Sequence, residues 1–167
     1  MLTHHDRTVE NAIEIFEICK NSLAEFWGFK EVGLPLEDMK RLCTMMKAAG
    51  KTTFFEVVAY TEAECLEGAK MAAECGFVCL LGTLYFDSIL AYAKEHGLRY
   101  MSFVGKIEGR PSVLHGTIEG MIDEAKGLLE KGVMALICWV TGLRKMLLNS
   151  IDGLPRRFRH RFAWWDQ

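Results

Sequence analysis

The chain has 167 residues, half of them hydrophobic and a quarter charged, enough for one domain with a sizeable core. Its 20 basic and 22 acidic residues are mixed along most of the length and leave a formal charge of −2, so no general attraction to nucleic acid or an anionic membrane is built in. Six cysteines include no C-x-x-C pair, the N-terminus lacks a signal-peptide pattern, and no uncharged run of about 20 residues occurs, which points to a reduced, cytoplasmic protein without a membrane span.

In chain order, residues 9–20 predict a first helix, with Thr8 as its capping residue. A strand over 26–32 and a helix over 36–49 follow. The same alternation then recurs: strand 52–59, helix 62–75, strand 77–84, helix 86–96, strand 98–104, helix 117–131 and strand 133–140. The helical segments carry apolar residues at three- and four-residue spacing, as in Ile118, Met121, Ile122, Ala125, Leu128 and Leu129. Gly50, Gly76, Gly97 and Gly132 each close such a segment, where a left-handed residue past the helix end is expected. The methionines and cysteines fall mainly within these patterns and read as core packing.

Strands joined through helices by short connections run parallel with right-handed crossovers, and parallel sheets are covered on both faces. A doubly wound sheet and a barrel both satisfy this. No G-x-G-x-x-G or G-K-[ST] loop follows any strand, which favours the barrel. The expected fold class is α/β, an incomplete TIM-type (β/α) barrel of about five or six parallel strands in chain order. Residues 1–140 form this partial barrel, and residues 141–167 an irregular basic-aromatic tail.

In that tail Arg156, Arg157, Arg159, Arg161 and His160 interleave Phe158, Phe162, Trp164 and Trp165. An RNA or membrane arm is one reading. The favoured one is a segment out of frame. Read from each third base, Ile137-Cys138-Trp139-Val140 becomes leucine or methionine, leucine and glycine, and residues 163–167 give an apolar residue, valine, glycine, then serine or proline. A frameshift near residue 135 is therefore expected, with neither nucleic acid nor membrane as partner.

Leu2-Thr3 with Asp6-Arg7-Thr8-Val9, the stretch Gly28-Phe29-Lys30-Glu31-Val32-Gly33-Leu34-Pro35, Glu56-Val57-Val58, Leu81-Gly82-Thr83, and Gly105-Lys106 with Pro111-Ser112-Val113-Leu114 together form a pattern. It resembles a poorly characterised bacterial family of (β/α)8 barrels that looks related to the ribulose-phosphate-binding barrels. The resemblance implies a lyase or isomerase acting on a small phosphorylated carbonyl compound. Members continue with an aspartate-leucine-leucine-glycine-tyrosine-arginine strand and an alanine-glycine-serine-isoleucine strand, neither present here, and start with a few more apolar residues. Both barrel ends are then expected to be defective and activity weak or absent. A non-catalytic alternative is a homo-oligomer in which partner chains cover the exposed strand edges.

In such barrels active-site groups lie at the C-terminal ends of strands. Lys30, Glu56, Lys106, Asp6 and His115 are the catalytic candidates on this placement, with Lys30, Glu56 and Lys106 expected to converge. Lys30 and Glu56 each interrupt a strand of Phe, Val and Gly, where a lone charge is costly to bury. On neighbouring strands they can tune each other for proton transfer beside a carbonyl or for Schiff-base formation, or else form a structural ion pair. Asp6 reads as a substrate group acting with Arg7 or as a capping residue, and His115 as a general acid or base or a plain hydrogen-bonding residue. Lys106, Arg110 and Ser112 sit in a loop suited to an anion or to solvent. Arg7, Arg110, Ser112, Gly82 and Thr83 make up the substrate-binding set. His4-His5 has no third ligand nearby, so no metal site is assigned, and the cofactor stays unknown.

Overall fold

Glycine-closed helices separated by β-branched and aromatic runs leave the chain few choices but a stack of strand–helix units, and these are what form. The computed structural model describes residues 1–108, 113–139 and 162–165. In chain order the elements are β1 (Thr3–His4), β2 (Arg7–Thr8), α1 (Ala12–Cys19), β3 (Phe26–Lys30), α2 (Leu36–Ala48), β4 (Thr52–Ala59), α3 (Glu62–Cys75) and β5 (Cys79–Thr83). They continue with α4 (Asp87–Glu95), β6 (Arg99–Phe103), β7 (Lys106–Glu108), β8 (Val113–His115), α5 (Ile118–Lys131), β9 (Ala135–Trp139) and β10 (Phe162–Trp165).

One sheet runs in the order β10-β9-β6-β5-β4-β3, every neighbouring pair parallel. No strand is inserted out of turn, as it would be in a doubly wound sheet. This is an α/β chain with a partial TIM-type sheet, and each predicted strand of the barrel lies within about three residues of its expected place. The four helix-closing glycines take positive φ as expected. At Gly76 the N–H reaches back to the carbonyls of Ala72 and Ala73, which stops α3 and turns the chain into β5.

Two expectations differ from the structure. Thr8 does not cap α1; the helix begins at Ala12 after Asn11, and Thr8 belongs to β2, where it bonds the main chain of β3. The exposed edge of β3 has main-chain groups to satisfy, and that demand takes Thr8 away from the helix. The tail, read as lacking a strand period, contributes β10, whose run Phe-Ala-Trp-Trp has strong strand propensity and pairs with β9 from Phe162↔Leu136 to Trp165↔Trp139. Residues 140–161, including the basic cluster at 156–161, lie outside the described residues.

The sheet has two unlike faces. On the helix side, Phe29, Phe55 and Phe77 meet with ring centroids 4.7 to 5.9 Å apart and pack with Met39, Leu42, Met46, Ala69, Ala72 and Leu80. The other, inner face gathers Leu81, Met101, Phe103, Ala135 and Ile137. These residues are buried, and Ile107 and Leu114 of the β7–β8 hairpin lie among them. Lys30 and Glu56 alternate with the helix-facing Phe29, Phe55 and Val57, so both belong to the inner face.

Two helix-interior glycines give opposite expectations. A Cβ on Gly68 of α3 would stand 2.4 Å from Val57 Cγ1, whereas one on exposed Gly127 of α5 would meet nothing within 4 Å. Gly68→Ala should cost about 1–3 kcal/mol through overpacking. Gly127→Ala should gain about 0.5–1 kcal/mol from helix propensity. Urea unfolding of the two variants checks the pair of signs.

Candidate active site

The site begins with strand register. Parallel pairing sets Phe29 opposite Phe55 and Lys30 opposite Glu56, placing the two charged side chains on one face of adjacent strands at the C-terminal end of β3. Lys30 is 2 % exposed and Glu56 3 %. Lys30 Nζ lies 3.7 Å from Glu56 Oε1, while Glu56 Oε2 is buried without a hydrogen-bond partner.

A small hairpin completes the surroundings of the lysine. His5 and Asp6, the two residues between β1 and β2, both have positive φ, 47° and 61°, the arrangement of a two-residue type I′ turn, in which side-chain-bearing residues are disfavoured. The hairpin docks because the Lys30 N–H donates to Thr8 Oγ1 at 2.9 Å, the Thr8 hydroxyl donates to the Lys30 carbonyl at 2.9 Å, and the Thr8 N–H donates to the Val32 carbonyl. Gly33 permits the approach: its φ is +114°, and a Cβ there would lie 2.2 Å from the Thr8 carbonyl oxygen. The turn thereby brings the largely exposed Asp6 carboxylate onto Lys30 Nζ, which donates a hydrogen bond to Asp6 Oδ1. Lys30 stands between a carboxylate open to solvent and one sealed from it.

Burial pushes the Glu56 carboxyl up to about 7; the Lys30 ammonium opposes the shift, and Glu31 and Asp6 add to it. Desolvation outweighs the attraction because the ion pair is long and only one carboxyl oxygen takes part. Glu31, the residue after Lys30, is also raised by burial, while its own main-chain N–H and that of Val58 hold it down. Its Oε1 accepts the Val58 N–H at 3.2 Å and its Oε2 is a second buried carboxyl oxygen without a partner. An ammonium beside a carboxyl that changes charge near neutrality can move a proton and oppose the negative charge that follows.

The remaining candidates are placed as follows. Lys106 and His115 face each other across the β7–β8 hairpin and both approach Glu108, at 2.8 and 3.8 Å. Both side chains are exposed there. Arg7 is exposed on β2. Gly82, at φ +92°, lies against Glu56: a Cβ there would meet Glu56 Cγ at 3.2 Å and the Val57 carbonyl oxygen at 2.9 Å. Thr83 is fully buried and its hydroxyl is bonded to the Tyr100 hydroxyl at 2.7 Å. Arg110 and Ser112 lie outside the described residues. Sequence reading missed Glu31 as a site residue; the signal available was a second charge directly after a strand-ending lysine. Among the described residues no three His, Cys, Asp or Glu side chains are grouped to hold a metal ion, and no helix is long and apolar enough to cross a membrane.

Fold and site together define a partial (β/α) barrel with a buried lysine–glutamate pair at the C-terminal end of its strands. The chain matches no protein-family model and no curated protein. Among solved structures its fold is similar to that of a protein from Anabaena variabilis with the provisional name of sugar phosphate isomerase/epimerase, at a TM-score of 0.51 and 15 % identity. The match covers 91 % of this chain and 65 % of that one, so the chain spans about two thirds of its neighbour's length.

The raised Glu56 carboxyl has a stability consequence. Its proton is held more tightly in the folded state, so the stabilisation is full below about 4.5, the ordinary glutamate value, and is lost as pH rises through about 7. The unfolding free energy of the wild type should therefore fall between pH 5 and 8. In Glu56→Gln the fall should shrink to the smaller part, of the same sign, left by Glu31. Denaturant unfolding across that range is the measurement, and a flat wild-type profile contradicts the raised carboxyl.

Proposed function

We propose that this chain carries the proton-transfer site of an isomerase- or lyase-type enzyme acting on a small phosphorylated sugar with a carbonyl group. One observation carries the reading: Glu56, sealed on the inner face with a free carboxyl oxygen, is the register partner of a buried lysine at the C-terminal end of a barrel-type sheet. In the reaction Glu56 takes the proton from the carbon next to the carbonyl. Charge then develops on the carbonyl oxygen, which Lys30 faces and stabilises. Return of the proton from Glu56 to the former carbonyl carbon, with the proton of the adjacent hydroxyl passing to the former carbonyl oxygen, completes an isomerisation. Asp6 keeps Lys30 in place at the solvent side. The substrate phosphate falls to Lys106 and, from the sequence, to the Arg110 cation and the Ser112 hydroxyl. The neighbour's name supports the substrate class, and the sequence resemblance points the same way.

Incubation with a panel of ketose and aldose phosphates in deuterium oxide, followed by proton NMR, tests the chemistry. Slow exchange at the carbon beside the carbonyl, as a partial barrel implies, is expected with at least one sugar phosphate, and Glu56→Gln should bring it down to the background rate. A folded protein that exchanges none of them, or a Glu56→Gln variant that keeps the rate, overturns the proposal.

The non-catalytic reading has its own support. Leu23, Ile18 and Phe26 are 99, 83 and 66 % exposed on the segment that leads into β3, the edge strand of the sheet. If a second copy covers this apolar patch, sedimentation at micromolar concentration should show a dimer or larger species that Phe26→Ser dissociates. A monomer at that concentration removes the reading.

A further inference from the structure

The pairing of β4 with β5 changes register immediately after Glu56. Glu56 lies opposite Leu81, yet Ala59 lies opposite Thr83, so two residues of β4, Val57 and Val58, face the single residue Gly82 of β5. An irregularity of this kind bends a strand and re-aims its side chains, and it releases main-chain groups from the ladder. Here one residue holds the irregular segment from its β3 side. The Glu31 N–H donates to the Glu56 carbonyl at 3.1 Å, and Glu31 Oε1 accepts the Val58 N–H at 3.2 Å. Glu31 thus grips β4 on either side of Val57, at the residue that carries the buried carboxyl and at the point where the ladder is broken.

We infer that Glu31 is a positioning residue for Glu56, holding the irregular segment of β4 with its main chain and carboxyl and setting a second carboxyl charge against that of Glu56. This rests on the reading of Glu56 as the acid–base group. A glutamine at position 31 would accept the same N–H bond and leave no buried ionisable group. What only the carboxyl adds is a charge that changes with pH, kept despite a buried oxygen that no donor satisfies. The charged groups acting on Glu56 are Lys30, which favours its ionisation, and Glu31 and Asp6, which oppose it. Asp6 is open to solvent and its influence is screened, so the half-buried Glu31, whose Oε2 is sealed, is the stronger opponent. Two carboxyls coupled in this way lose their protons in two steps that belong to the pair.

The test is a carbon-13 NMR titration of the glutamate carboxyls in the whole chain, with the Glu56 signal assigned by its loss in Glu56→Gln. Wild-type Glu56 is expected to titrate near neutrality over a broad, two-step curve. In Glu31→Gln the curve should become a single step with its midpoint lower by about half a pH unit or more, at nearly unchanged thermal stability. Glu31→Leu should lower the midpoint and the stability together, because the Val58 N–H loses its acceptor. If wild-type Glu56 titrates near neutrality and Glu31→Gln leaves the curve unchanged, the inference about Glu31 is overturned while the acid–base reading stands. A wild-type midpoint near the ordinary 4.5 overturns the acid–base reading and the inference with it.

Discussion

A lysine and a glutamate buried side by side on two parallel strands set the terms for everything near them. Neither charge can be left without compensation in so dry a place, and their mutual attraction at 3.7 Å is too weak to supply all of it. The surrounding structure divides the work. The first hairpin brings Asp6 to the ammonium, Thr8 satisfies the main chain of Lys30 in both directions, and Gly33 lets that hairpin come close enough. Gly82 clears the space beside Glu56. The glutamate is left undercompensated, and its raised proton affinity is the direct result.

The helix side answers different demands. Phe29 and Phe55 pack with Phe77 on the reverse of these strands, so the register that opposes Lys30 to Glu56 is also the register that sets the Phe29 and Phe55 rings edge to face. A slip of one residue would bury the charges under α2 and α3 and turn the rings inward. Further along, Thr83 and Tyr100 share a hydrogen bond, and Tyr100 also donates to the Leu84 carbonyl. Burial pushes the Cys65, Cys75 and Cys79 thiols up to about 11, and they behave there as packing groups and not as nucleophiles.

Much of this was legible in the sequence because it is written in short-range patterns. Helix period, glycine punctuation and apolar runs give the strand–helix order, and charged residues inside Phe- and Val-rich runs single out Lys30 and Glu56. What depends on distant partners was not legible. Thr8 has ordinary capping chemistry in sequence, and only the unpaired edge of β3 reassigns it. Lys106 ends an apolar run just as Lys30 does. Its neighbour Glu108 two residues on draws it into an exposed pair instead, a fate set by the β7–β8 hairpin. Glu31 stands in plain view beside Lys30, but its function arises from a register change on the next strand that no local pattern encodes.

The strand order bears on how the molecule is made. From β4 to β6 each strand pairs with the one that left the ribosome just before it, a single helix earlier. The contacts that close each unit span one helix and its turns, so each closure bridges a loop of similar length and none waits for a distant part of the chain. A growing chain can lay each strand–helix unit on a finished predecessor, with the Lys30–Glu56 pair assembled once residue 56 has emerged. Burial of both charges would then precede completion of the sheet, and the two strands that carry them would act as the template for vectorial folding of the rest.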